Sequence, residues 1–93
     1  MKKALIVTYD LSNPGRNYEA LLKKIKAYKN WARLGGSSYI IMVDQDTTTV
    51  QHRDYLAEVL DPNDKLYVST LGKDAAWHGL TAEVSNWIRE NQK

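Results

Sequence analysis

Apolar and polar residues alternate with two different periods along this chain, and the changes of period mark its elements. From Lys3 to Tyr9 the apolar residues Leu5, Ile6 and Val7 follow one another without helical spacing, which predicts a strand. Asp10 to Gly15 is dense in turn formers, and Pro14-Gly15 is expected to close that turn. Then the period shifts. Tyr18, Leu21, Leu22, Ile25 and Tyr28 form one stripe at helical spacing, with Asn17 expected as N-cap and Glu19 in the first turn. Trp31 to Leu34 and Ser37 to Val43 read as two extended runs joined at Gly35-Gly36, a hairpin whose turn should need positive φ at both central residues. Asp44 to Thr49 breaks the strand and offers caps for a helix from about Val50 to Leu60. Asp61 to Asp64 is a turn, Lys65 to Leu71 a strand, and Gly72 to Asp74 opens a loop. Leu80, Val84, Trp87 and Ile88 mark a last helix capped by Thr81 and running to Glu90.

The predicted order is strand–helix–strand–strand–helix–strand with one additional C-terminal helix. It matches an α+β, ferredoxin-like βαββαβ sandwich occupying residues 1–93 as a single domain. In that arrangement the first and third strands are central, and Ala4 to Val7 and Tyr39 to Val43 are the most continuously apolar. Arg33 and Lys65 fall on the edges, where charge discourages stray pairing. A three-stranded parallel sheet is the alternative, should Trp31 to Leu34 merely extend the first helix. Two helices on one side would leave the second sheet face bare. Either a homodimer covers that face, or the last helix folds over it through Val84, Trp87 and Ile88.

Composition narrows the chemistry. Ninety-three residues, 43% hydrophobic and 26% charged, fit one globular domain, and the absence of cysteine removes disulfides and thiolate metal sites. No stretch approaches the roughly 20 apolar residues of a membrane span, so a cytoplasmic protein is expected. The formal net charge is only +2, but Arg16, Lys23, Lys24, Lys26, Lys29 and Arg33 cluster within eighteen residues. That cluster reads either as a solvated helix face or as a phosphate-binding patch. Six tyrosines and three tryptophans with no phenylalanine favour half-buried positions, which serve packing first, then dimerisation, then base stacking.

Asp10 and Asp44 each end a central strand. Were those strands parallel, both carboxylates, with Asp46 nearby, would reach one sheet edge and could share a Mg²⁺ ion. Aspartates also end strands and cap helices for purely structural reasons. His52 and His78 have no second ligand at metal spacing; His52 is expected on the surface and His78 to be packed. No Gly-x-Ser-x-Gly and no Walker-type phosphate loop occurs.

The opening Ile6 to Asp10, a strand ending in Tyr-Asp, is followed by a polar loop, a basic amphipathic helix and a hairpin returning through Ser38 to Ile41. Over about the first 45 residues this resembles the small CRISPR-associated nuclease family, which supplies the dimeric adaptor of the spacer-integration complex. The resemblance implies a ferredoxin-like fold, a homodimer, nucleic acid as partner and Asp10 as the metal-binding catalytic residue, with Ser38 matching the family's serine early in the third strand. Two departures stand out. Only Arg16 occupies the loop where the family carries several arginines, and the chain ends in a helix where the family often exchanges a strand, as in a divergent, SinR-like branch.

Two functions follow as expectations. The first is a nucleic-acid-associated protein, a Mg-dependent phosphodiesterase through Asp10, with Lys23, Lys24, Lys26, Lys29 and Arg33 on backbone phosphates. The second is a non-catalytic dimeric module of a toxin–antitoxin or phage-defence system.

Overall fold

Seven elements follow one another: β1 (Lys2–Asp10), α1 (Pro14–Lys26), β2 (Trp31–Gly35), β3 (Ser38–Asp44), α2 (Thr49–Ala57), β4 (Lys65–Thr70) and α3 (Ala82–Asn91). They come from a computed structural model that describes the backbone of residues 1–12 and 14–91 and the side chains of residues 1–12 and 18–91. The four strands form one sheet in the order β2-β3-β1-β4, and every neighbouring pair is antiparallel. Trp31 to Gly35 pairs with β3 as a true strand, which removes the three-stranded parallel alternative. Helix α1 begins at Pro14, a residue suited to a first helical position. Asn17 is therefore inside the helix and not its cap, and the turn expected at Pro14-Gly15 is already helical.

The β2–β3 hairpin differs from expectation in its chemistry. Trp31, Ala32 and Arg33 pair with Ile41, Ile40 and Tyr39, but Gly35 pairs with Ser38, so Leu34 is an extra residue bulged from β2. The turn itself is Gly36-Ser37, and neither Gly35 nor Gly36 has positive φ. The irregularity supplies the local change of direction that a mirror-image turn would otherwise have given.

Alternation along β1 sends its side chains to two different cores. Leu5, Val7 and Tyr9 point to a core shared with Tyr39, Ile41 and Val43 of β3, Leu21 and Ile25 of α1, and Leu56 of α2. Helix α2 contributes only Leu56 as a buried side chain and is held at its start by a capping box between Thr48 and Gln51. Ala4 and Ile40 point the other way, onto Ile88, with Leu34, Met42, Leu71, Leu80, Val84 and Trp87 packed around them. Helix α3 thus lies over the second sheet face. Thr81 caps it, its hydroxyl accepting from the Val84 N–H.

That cover lies over β2, β3 and the Ala4 end of β1. Ile6 and Leu71 floor an apolar trough of about 340 Å³ that continues past α3 under the loop carrying Ala75 to His78. Gly79, with φ of 84°, turns that loop so that Leu80 enters the second core while Trp77 folds back onto α3. Among the described residues, no helix is long and apolar enough to cross a membrane.

Candidate functional site

The register of β1 decides how the carboxylates are arranged. Asp44 pairs with Lys2 at the start of β1, whereas Asp10 ends the strand opposite Lys65 of β4. Eight residues of strand, at about 3.4 Å each, separate the two positions by about 27 Å. A Mg²⁺ ion shared by Asp10 and Asp44 within one chain is therefore excluded. The parallel relation it needed cannot exist here: β3 returns by a hairpin from β2 and lies antiparallel to β1. Asp46 follows Asp44 in an exposed turn at the same far end.

Asp44 has a different occupation. Its Oδ1 accepts from the Lys2 ammonium at 2.5 Å. That hydrogen bond, and then the charge of Lys2, lower its pKa below the usual carboxylate range, with Lys29 adding to the effect.

Asp10 is exposed, and its carboxylate has no hydrogen bond or ion pair among the described residues. Side chains at Thr8 and Asp10 share the face away from α1 and α2, and their cross-strand partners Ser38, Tyr67 and Lys65 share it too. The Ser38 hydroxyl donates to Thr8 Oγ1 at 3.2 Å. A cleft of about 200 Å³ is lined by Thr8, Asp10, Lys65 and Tyr67. A second carboxylate, overlooked in the sequence because it sits in an ordinary turn, lies at this end. Asp64 Oδ1 accepts from both the N–H and the hydroxyl of Ser12, and its Oδ2 accepts from the Asp61 N–H. Asp64 thus ties the loop after β1 to the turn before β4. Among the described residues no three metal-ligating side chains converge, so one chain offers an ion a single unengaged carboxylate at this end.

The basic residues are not gathered at Asp10. Helix α1 leaves the Asp10 end and its lysines lie toward the opposite end, where Lys29 is felt by Asp44. Lys23, Lys26 and Lys29 are exposed, and Lys26 Nζ stands 5.5 Å from the centre of the Trp31 ring. Lys24 is committed elsewhere: its Nζ donates to the Tyr55 carbonyl and to Glu58, both at 2.6 Å, and lies 4.1 Å from the Tyr55 ring centre. With its side chain only 17% exposed, Lys24 joins α1 to the α2 region and does not offer its charge to a ligand. Arg33 is exposed near the hairpin, its Nε–H donating to the Gly35 carbonyl. The Arg16 side chain lies outside the described residues.

The two histidines also depart from expectation. His78 is exposed at the trough. His52 is partly buried and holds a directed chain of hydrogen bonds. The Thr47 hydroxyl donates to the Asp44 carbonyl at 2.6 Å, so its oxygen accepts from His52 Nε2–H at 2.8 Å. His52 Nδ1 then accepts from the Tyr28 hydroxyl, also at 2.8 Å. Burial and then the charge of Lys3 lower the pKa of His52, against an opposing pull from Asp44. Burial, with Tyr55 adding to it, pushes the Tyr28 phenol up to about 12. These groups hold the α1 end against α2 as a neutral network.

Compared with known proteins, the chain matches no family model, no curated protein and no solved structure.

Proposed function

We propose that this chain is a cytoplasmic, ferredoxin-like, nucleic-acid-associated domain of the small CRISPR-associated nuclease type, working as a homodimer. Asp10 is the residue through which any Mg-dependent phosphodiester chemistry runs. The observation that carries this reading is Asp10 itself: an exposed carboxylate, unengaged among the described residues, at the end of a central strand, beside the hydroxyls of Thr8 and Ser38. Mg²⁺ is commonly held by one or two carboxylates together with phosphate oxygens, and a second copy could supply the second carboxylate. Such an ion would activate water and offset charge building on the phosphate. The strand order β2-β3-β1-β4 with both connecting helices on one face supports the ferredoxin-like assignment. The test is equilibrium binding of DNA and RNA oligonucleotides across a salt series, with and without Mg²⁺. Binding that weakens steeply with salt is expected; no binding at low salt would overturn the reading.

A second reading is a non-catalytic dimeric interaction module of a toxin–antitoxin or phage-defence system. It is favoured by the separation of the exposed lysines of α1 from Asp10 and by the engagement of Lys24 within the fold. Absence of nucleic-acid binding together with a stable dimer in sedimentation would select it.

A further inference from the structure

The two edges of the sheet are finished differently. Strand β2 is short, is broken by the bulge at Leu34 and carries Arg33, all features that discourage a further strand. Strand β4 has no such interruption. Lys65 to Thr70 runs in unbroken register with β1, without proline or glycine, and its one charge stands at its first residue. The Leu71 N–H donates to the Ala4 carbonyl at 2.9 Å, so Leu71 turns its backbone toward β1. Alternation then turns Ser69 and Tyr67 inward, and Leu66, Val68 and Thr70 outward. Among the described residues, the outward N–H and C=O groups of those three meet only the Ser69 hydroxyl, 3.4 Å from the Thr70 carbonyl. Beside this edge α2 leaves a cleft of about 220 Å³, lined by Val50 and Arg53, and does not close over it. Val50 on that side is 52% exposed, and Tyr67 on the opposite face is 62% exposed.

We propose that β4 pairs with β4 of a second copy, antiparallel about a two-fold axis through Val68, joining two four-stranded sheets into one. The occupant is a second copy because the outward set is symmetric about Val68. With Val68 opposite Val68 and Leu66 opposite Thr70, all three residues of each copy find partners, about six hydrogen bonds in all. Tyr67 then stands across from the partner's Ser69 and diagonal to the partner's Tyr67, within reach of an aromatic ring. Lys65 faces the partner's Leu71, so no like charges are opposed. Pairing β4 with β2 would be a head-to-tail contact, and the bulged β2 is unsuited to it. This inference rests on the homodimer that both readings above share, and gives it an interface. It sets the two Asp10 positions roughly 25 Å apart, about three strand spacings across and six residues along. Each Asp10 would therefore meet an ion with phosphate oxygens and without its mate.

Sedimentation equilibrium of the full chain over a concentration series, joined with single-cysteine cross-linking, tests it. The native protein is expected to be a dimer. Tyr67→Lys, which sets two ammonium groups diagonally across the axis, should raise its Kd about tenfold or more and leave the far-UV spectrum unchanged. The chain has no cysteine, so each introduced thiol is the only one. Val68→Cys lies against its mate on the axis and should oxidise to a covalent dimer. Thr70→Cys is more exposed, but it lies ~14 Å from its mate, beyond disulfide reach, and should not. If Val68→Cys fails to fold, the Tyr67→Lys measurement decides alone. If the protein is a dimer whose Kd Tyr67→Lys leaves unchanged, or if Thr70→Cys cross-links as fast as Val68→Cys, the β4 pairing is overturned and the homodimer stands on another surface. If the native protein stays monomeric at millimolar concentration, the pairing and the homodimer fall together.

Discussion

Trp87 and Asn30, 57 positions apart in the chain, are joined by a hydrogen bond of 2.7 Å from the indole Nε1–H to the amide oxygen. Asn91 closes the group, accepting from Asn30 Nδ2 and donating to the Trp87 carbonyl. Helix α3 is thereby fastened to the turn that precedes β2. Trp87→Phe keeps most of the apolar contact and removes the donor, leaving a half-buried amide oxygen unanswered. We expect a loss of about 1–3 kcal/mol in urea denaturation. A change below about 0.5 kcal/mol would mean that the contact adds nothing to apolar packing.

His52 gives the protein an acid limb. Because its folded pKa lies below the ordinary value of about 6.5, the unfolded chain takes up the proton first as pH falls. Its contribution is complete above about 6.5 and is lost as pH falls through the folded value. The midpoint of denaturation should drop between pH 7 and 5, and His52→Gln should flatten that drop. Tyr28 acts with the opposite sign: its phenol, raised to about 12, gives stability that is intact below about 10 and is lost as pH rises through the folded value. An unchanged acid limb in His52→Gln would assign it to other groups.

Lys24 and Lys23 are neighbours with unequal roles. Lys24→Ala removes two hydrogen bonds and a contact with the Tyr55 ring, so thermal unfolding should shift down by several degrees. Lys23→Ala, on an exposed side chain, should leave the transition within a degree or two. Equal shifts would refute the distinction.

Asp10→Asn should abolish any Mg-dependent cleavage the purified protein shows, and Asp44→Asn should leave it intact. Without Mg²⁺, Asp10→Asn should also tighten oligonucleotide binding modestly, by removing a negative charge beside the phosphates. Gel assays of cleavage and anisotropy in chelator check the two effects. Cleavage unchanged in Asp10→Asn would place the chemistry elsewhere.

The order and kind of the seven elements were legible because apolar runs and stripes mark most of them, from the run at Leu5 to Val7 to the stripe at Val84, Trp87 and Ile88, while α2, with Leu56 its one buried side chain, was marked by the caps and turns around it. The burial of those three last side chains was legible as one of two outcomes, since periodicity marks a face as apolar without saying what will cover it. The site was read less well. Asp10 was visible as a strand end, but pairing it with Asp44 required a strand direction that a hairpin-connected β3 forbids. Tyr67 was hidden among strand residues because only the register, Thr8 opposite Tyr67, puts it on the Asp10 face. The role of His52 depends on Tyr28 and Thr47, which no local spacing connects to it.

Helix α3 is the last of the described elements to be synthesised, and this has a consequence on the ribosome. All four strands have been made once Thr70 is in place, whereas the cover for Ala4, Ile40 and Met42 arrives 21 residues later, with Asn91. At ~5–20 residues per second, synthesis of the cover follows that of the last strand by roughly one to four seconds. In any folding intermediate that has the sheet but not yet α3 docked, Ala4, Ile40 and Met42 form an open apolar face that a chaperone or a second chain can occupy.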